Sequence, residues 1–318
     1  MKKDTVTKYF LLGIVLLSVV FAIAMKATIF QKEPTPPPAP APAESQAFRD
    51  YWFGGKAEIN SYQLEQAQYG SLMPGKAVLI FVTEDFRTDT QVKSESEATR
   101  DQSTPTLKTN FIRKFVTGIY DYSLFTSVFT PINNPVFPRT LKVSTSGQEW
   151  CGHSYIQLNL RSTGYAVSGR SYFEKEAAED YTVAKVMLED ELWNRIRLAP
   201  EKLPTGSVQL IPGTQAARLR HQRLDPQTAD ISLSAYAGTT FKGDSLQAYT
   251  IDYKSDKRNL LIVFENKFPF RIVGWEETYA TKNKVLTSRA VLQKTIQSDY
   301  WNRNQPVDST LRRSLAIP

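Results

Sequence analysis

Ile156-Gln157-Leu158-Asn159-Leu160-Arg161, followed by Ser162-Thr163-Gly164 and then Tyr165-Ala166-Val167, is the stretch on which the fold turns. Apolar and polar side chains alternate with period two, a Ser-Thr-Gly turn reverses the chain, and a second extended run begins at once. That pattern is a hairpin of a half-buried antiparallel sheet. The rhythm continues in both directions. Upstream, Ala77-Val78-Leu79-Ile80-Phe81-Val82 is a continuous apolar run behind the turn Met73-Pro74-Gly75, the composition of a buried strand. Downstream, Ile231, Leu233 and Ala235 alternate with serines, and Tyr249, Ile251 and Tyr253 alternate with Thr250 and Asp252. Residues 260–265, 270–279 and 285–297 follow with turn residues between them, a meander. The fold class predicted is mainly β, a large antiparallel curved sheet or half-barrel.

One segment breaks the rhythm. From Tyr181 to Leu198 the apolar Met187, Leu188, Leu192 and Ile196 recur at helical spacing against Glu189, Asp190, Glu191, Arg195 and Arg197, and Ala199-Pro200 stops the run. The spacing predicts an amphipathic helix over about 181–198, docked on a sheet face or in the mouth of a curved sheet. Arg87–Thr106 holds only Val92 and Ala98 as apolar residues and reads as a solvated loop. Residues 302–318 lose periodicity and read as a flexible tail.

The N-terminus supplies an address. Lys2, Lys3 and Lys8 precede an uncharged apolar run from Tyr9 to Met25, which as a helix rises about 25 Å and nearly matches a hydrocarbon core once flanking lysines snorkel. Residues 1–30 are therefore a signal anchor or a signal peptide. Ala22-Ile23-Ala24 resembles a cleavage site, but the length of the run favours an uncleaved anchor. The lysine cluster orients it with the N-terminus cytoplasmic, which makes the expected location the inner membrane, single pass, with a periplasmic C-terminal domain. Residues 31–47, with Pro34, Pro36, Pro37, Pro38, Pro40 and Pro42, form a polyproline II linker. The extracytoplasmic β domain spans 48–301.

The 318 residues are 41% hydrophobic with 17 Phe, 15 Tyr and 5 Trp, too apolar for a disordered chain. One Cys rules out a disulfide framework and a lipid-modified cysteine after the apolar run; two His rule out a histidine-rich metal centre. The net charge of +7 loses Lys2, Lys3, Lys8, Lys26 and Lys32 with Asp4, Glu33 and Glu44 once residues 1–45 are set aside, leaving a modest +5. The address outside the membrane, rather than the charge, makes nucleic acid no expected partner. No phosphate-binding glycine loop, G-x-S-x-G, H-E-x-x-H or C-x-x-C occurs, and no cofactor or metal is expected.

Chemistry concentrates at Gln148-Glu149-Trp150-Cys151-Gly152-His153. If this run belongs to the strand that continues to Leu160, then Glu149, Cys151 and His153 share one face. Carboxylate, thiol and imidazole in a row suit metal binding or thiolate activation. Against this, side chains at i and i+2 of a strand lie about 7 Å apart. The reading that prevails is a small buried thiol beside a polar row. Arg218-Leu219-Arg220-His221 reads as a basic strand on a solvated face. Phe111, Phe115, Tyr120, Tyr122, Phe125 and Phe129, with Phe137, read mostly as core, with a surplus that lines a cavity for an apolar ligand or forms a membrane-facing patch.

At Tyr51-Trp52-Phe53-Gly54-Gly55-Lys56-Ala57-Glu58-Ile59, Ser61-Tyr62-Gln63-Leu64, Gln148–His153 and Leu188-Glu189-Asp190-Glu191-Leu192-Trp193, the chain resembles an uncharacterised membrane-anchored envelope family of Bacteroidetes-type bacteria over residues 50–300. The resemblance implies an extracytoplasmic protein with no established activity, so it brings no catalytic residue. Members of that family have been labelled septum formation inhibitor Maf, a cytosolic nucleotide pyrophosphatase, whose S-x-x-R-R signature is absent here. A weaker fold-level similarity, carried by Asp256-Lys257-Arg258 and Phe268-Pro269-Phe270-Arg271-Ile272, is to DUF3108-type periplasmic curved-sheet proteins, and it implies a half-barrel able to hold an apolar chain.

The expected function is a membrane-anchored binding or scaffolding module, held by residues 9–25, for a lipid-like ligand or an envelope protein. A cysteine- or metal-dependent enzyme centred on Cys151 and His153, with Glu149 or His221, is the alternative. A purely structural partner of an envelope complex is the third.

Overall fold

The computed structural model describes residues 45–317; the apolar run 9–25 and the prolines 34–42 lie outside the described residues. A short helix α1 (Gln46–Trp52), capped where Ser45 Oγ accepts the Phe48 N–H at 3.2 Å, leads into the sheet. Four long strands follow: β1 (Ala57–Gln68), β2 (Ser71–Arg87), β3 (Ser103–Thr117) and β4 (Tyr120–Pro131). Four shorter ones continue the meander: β5 (Lys142–Glu149), β6 (Gly152–Leu160), β7 (Tyr165–Ser171) and β8 (Ala178–Val183). Then come β9 (Met187–Leu188), α2 (Glu189–Leu198), β10 (Gly206–Ile211) and α3 (Thr214–Arg220). The chain returns through β11 (Gln227–Ala235), β12 (Leu246–Tyr253), β13 (Arg258–Glu265), β14 (Ile272–Thr281) and β15 (Lys284–Ser298), and α4 (Thr310–Ser314) ends it.

All 15 strands form one open curved sheet, in the order β8-β7-β6-β5-β4-β3-β2-β1-β15-β14-β13-β12-β11-β10-β9. Every ladder is antiparallel except the two-residue β9–β10 pairing. Tight turns set the register. Tyr69-Gly70, both at positive φ (53° and 79°), joins β1 to β2, the backbone twist that a two-residue hairpin requires. The quoted hairpin is β6–β7, with Leu160 opposite Tyr165.

The helical expectation over 181–198 is corrected. Tyr181 to Val183 belong to β8 and Met187-Leu188 to β9, so the helix begins only at Glu189. Alternation of Val183 inward with exposed Thr182 overrides the helical spacing in that half. The remaining helix has no solvated polar face either. Glu189, Asp190, Glu191, Asn194 and Arg197 are all buried, because the sheet curls around α2 and leaves only Arg195 and Leu198 partly exposed. The basic segment 218–220 is also not a strand. It closes α3, where His221 takes a left-handed C-cap (φ 52°), Arg218 pairs with Glu149 and Arg220 pairs with Asp256.

Residues 302–318, expected as a flexible tail, form short helical turns in their described part, and Leu315 and Ile317 pack on Ala57, Ile59 and Val82 on the outer face of β1 and β2. The solvated loop expected over 87–106 is shorter, since Arg87 ends β2 and 103–106 open β3 with Thr104 and Thr106 buried. What remains includes a short 3-10 turn at Glu97–Gln102, and buried Gln91 donates to the Leu160 carbonyl at 2.8 Å.

The concave face holds the main core. Leu192, Trp193 and Ile196 of α2 pack among Tyr62, Leu79, Phe111, Ile262 and Trp275. Trp193 and Trp275 meet edge to face at 5.2 Å, and Phe111 meets both. Burying each of these large side chains contributes about 1.5–3 kcal/mol, so a helix carrying three of them is held in place despite its buried charges. Ala217 of α3 and Leu224 complete a second cluster with Val128, Val143, Leu158 and Val167.

Candidate functional site

Three places concentrate chemistry. The first is the sequence-predicted Glu149-Cys151-His153 row, which the structure breaks up. The strand stops at Glu149 and restarts at Gly152, so Trp150-Cys151 is a two-residue hairpin turn. Gly152 is required there, since a Cβ would lie 2.5 Å from the Tyr172 ring. Cys151 is exposed, not buried as expected. Glu149 is committed to Arg218 at 3.0 Å, and Arg218 Nε donates to Ser154 Oγ at 2.7 Å. His153 pairs in register with Gln148, and His221 is held by Glu176 at 2.7 Å. Among the described residues no cluster of three or more His, Cys, Asp or Glu has metal-ligand geometry.

The second is the buried ionic network where α2 meets the sheet. Arg258 donates in fork geometry to Glu189 (2.6 and 2.6 Å) and through Nε to Glu277 (2.7 Å); Arg113 reaches Glu277 at 3.2 Å and Tyr253 donates to Glu189 at 2.7 Å. Burial opposes ionisation of Glu277, but the Arg258 and Arg113 guanidinium groups outweigh it and bring its pKa down to about 2. At the far end of α2, Arg197 makes a second fork to Glu58 (2.6 and 2.7 Å), which Asn60 (2.6 Å) and Tyr51 also serve. Asp190 is in no ion pair among the described residues, although Arg258 is close enough to favour its charge. It accepts the Thr214 N–H at 2.9 Å, and burial with the neighbouring Glu189 pushes it up to about 7. Both forks are buried, with Arg197, Glu58, Arg258, Glu189 and Glu277 almost without exposure, and they hold α2 against the sheet.

Asp190 gives a pH signature. A carboxyl whose folded pKa lies above its unfolded value costs stability progressively as pH rises from about 4 to 7, and the full cost persists above 7. Asp190→Asn removes that cost while keeping an acceptor for Thr214. The variant is expected to gain at least about 1 kcal/mol on wild type between pH 5 and pH 8, read from urea unfolding at the two values.

The third place is on the outer face. Cross-strand register aligns Ser61, Val78, Ile112, Phe125, Ser146 and Tyr155 in one row across β1 to β6, and Gln63, Lys76, Lys114, Ser123, Gln148 and His153 in the next. A groove of about 1010 Å³ runs over these rows, with Val78, Ile80, Ile112, Val116 and Trp150 on its walls and Leu315 at one end. Trp150 is 69% exposed, Val116 43% and Phe125, beside the groove, 38%. Lys76 and Lys114 lie directly opposite each other in the β2–β3 ladder, an arrangement that costs stability unless an anion joins them. Lys76 Nζ donates to Gln63 Oε1 at 2.7 Å, and Asp121 and Glu149 sit farther along the rim.

The aromatic candidates divide accordingly. Phe111 is buried in the main core, and Phe129 stacks on Phe86 at 4.2 Å. Phe115 and Tyr122 stack at 4.8 Å and border the groove, with Tyr120 beside Tyr122 and Phe125 exposed on the outer row. An interior cavity was the expectation; that space is occupied by α2 and the three-ring cluster of Phe111, Trp193 and Trp275. Sequence reasoning missed Ile112, Val116, Lys76 and Lys114. The run 77–82 did hold a signal, because a strand apolar at every position has two apolar faces.

No protein-family model, no curated protein and no solved structure matches the chain. Among the described residues no helix is long and apolar enough to cross a membrane.

Proposed function

We propose that this chain is a membrane-anchored extracytoplasmic binding module, held by residues 9–25, and that the outer-face groove is its binding surface for an anionic, lipid-like amphiphile. The carrying observation is the Lys76–Lys114 cross-strand pair set beside the apolar row Val78-Ile112-Phe125. Two cations next to an open apolar strip match a ligand with a charged head and a hydrocarbon tail. Trp150 at the rim reports occupancy. Such a module presents or stores its ligand on the sheet's outside while α2 keeps the sheet's curvature fixed from within.

Titration of the full chain in nonionic detergent with oleate, followed by tryptophan fluorescence, is expected to saturate. Ile112→Glu should weaken binding at least about tenfold, and Lys76→Gln with Lys114→Gln by a similar factor. Saturation unaffected by both variants would reject the groove. Lipid extraction and mass spectrometry of protein purified from its native membrane identifies the amphiphile; a co-purified envelope protein in its place favours the scaffolding role.

A further inference from the structure

A second pocket, of about 360 Å³, lies between the loop preceding β5, the β6–β7 turn and the segment leading into β9. Arg139, Arg161 and Lys185 line it, and no Asp or Glu does. Most arginines of this chain sit against a carboxylate, including Arg113, Arg195, Arg197, Arg218, Arg220, Arg258 and Arg289. Arg139, Arg161 and Lys185 have no carboxylate partner among the described residues, and they share one pocket. The pocket stands at the opposite end of β5 and β6 from Trp150, so it is independent of the outer-face groove.

The walls are fixed. Gln91 is buried, donates to the Leu160 carbonyl at 2.8 Å and accepts from Asn159 Nδ2 at 2.6 Å. Its own carbonyl receives Lys142 Nζ at 3.3 Å, which brings a fourth cation close by. Arg161 begins a tight turn, its N–H on the Gly164 carbonyl at 2.7 Å, and its Nη1 donates to the Leu160 carbonyl at 3.3 Å. Next to Arg139, Thr140 is buried and its N–H donates to Glu191 at 3.0 Å, which anchors the backbone there. Glu191, buried behind Thr140, is already engaged by that N–H and by Arg195 at 3.0 Å. The Ser162 hydroxyl adds a neutral donor, and Phe137 an apolar wall.

We propose that this pocket binds a phosphomonoester dianion, with Arg139, Arg161 and Lys185 holding the phosphoryl oxygens and the Phe137 side taking the ester group. Guanidinium forks match phosphoryl oxygens in planar, two-bond geometry. Unneutralised cations converging on one site repel, and a dianion relieves that repulsion.

The test is calorimetric titration of the full chain in nonionic detergent with phenyl phosphate at low salt, alongside an R139Q/R161Q variant and an R100Q control, whose arginine is exposed and already paired with Glu97. Saturable binding is expected, weakened at least about tenfold by R139Q/R161Q and unchanged by R100Q. Both pocket arginines sit at the rim, so the unfolding midpoint of the double variant should match wild type. Absence of saturable binding, or equal weakening by R100Q, overturns the proposal. Competition by inorganic phosphate assigns the site to a soluble ester. Competition only by phosphatidic acid vesicles, with co-sedimentation lost in R139Q/R161Q, assigns the same chemistry to a lipid headgroup.

Discussion

Arg258→Met is expected to destabilise the folded chain by about 3–5 kcal/mol, the cost of breaking a buried ion pair by removing one partner. The guanidinium is fully enclosed and serves two carboxylates at once, Glu189 at the start of α2 and Glu277 on β14. Removing it leaves Glu189 without its cation and Glu277 with Arg113 alone, in an interior that cannot solvate them. Denaturant unfolding at pH 7 measures the loss. A double variant, Glu189→Gln with Arg258→Met, should recover a large part of it, because Glu277 keeps Arg113 and the penalty comes mainly from the orphaned Glu189 charge and not from the missing bonds. Acid supplies an independent check. Glu277 has its pKa lowered to about 2, so its contribution is present above about 4.5 and disappears as pH falls toward 2. The Arg258→Met protein should lack that part of the acid transition. A loss below about 1 kcal/mol would mean that water reaches the network.

Arg197→Met is expected to cost about 3–5 kcal/mol by the same reasoning at the other end of α2. Here the guanidinium stacks within 4.6 Å of the Phe81 ring centre and 5.2 Å of Trp52 while gripping Glu58 with two hydrogen bonds. Burial raises the cost of charging Glu58, yet Arg197 outweighs it and keeps the carboxyl below its ordinary range. The Arg197→Met, Glu58→Gln pair should be milder than Arg197→Met alone, and the double-mutant cycle gives the coupling directly. Arg197→Lys is not a conservative control, since Lys cannot reproduce the fork and also loses the bond from Nε to the Pro269 carbonyl at 2.9 Å. The two forks together fix both ends of α2, so each variant should also loosen hydrogen-exchange protection along that helix.

Much of the sheet was legible because period-two alternation survives wherever one face is wet. The strand at 156–160, the Ser-Thr-Gly turn and the meander from 246 to 298 follow directly from it. The helix was legible in its existence but not in its surroundings. Glu189, Asp190, Glu191 and Arg197 look like a solvated face, and only the three-dimensional arrival of Arg258 and Glu58 from strands far away in the chain reveals them as interior. Cys151 failed for a local reason. Without a Gly-Asn or Asp-Gly pair, Trp150-Cys151 does not advertise a turn, and reading straight through it placed the thiol on a strand face. The basic residues 218–220 failed because α3 is only two turns long, too short for periodicity to separate helix from strand. The outer groove required cross-strand register, which brings Lys76 opposite Lys114 and Val78 opposite Ile112.

The place of β1 in the sheet has a consequence for how the chain comes together. Its partners are β2, its immediate successor, and β15, so that Ala57 faces Ser298. Strands β1 to β8 can zip as successive hairpins while the chain emerges, and β10 to β15 can do the same later. The seam between these halves closes only when the last long strand has appeared, across a loop that spans nearly the whole β domain. Until then the inner edge of β1 and the unsealed charges of Glu58 and Glu277 stand open to solvent and to other strands. Synthesis interrupted before residue 284 would therefore yield a species prone to edge-to-edge aggregation, and a chaperone that shields β1 would act on the slow, final step of assembly.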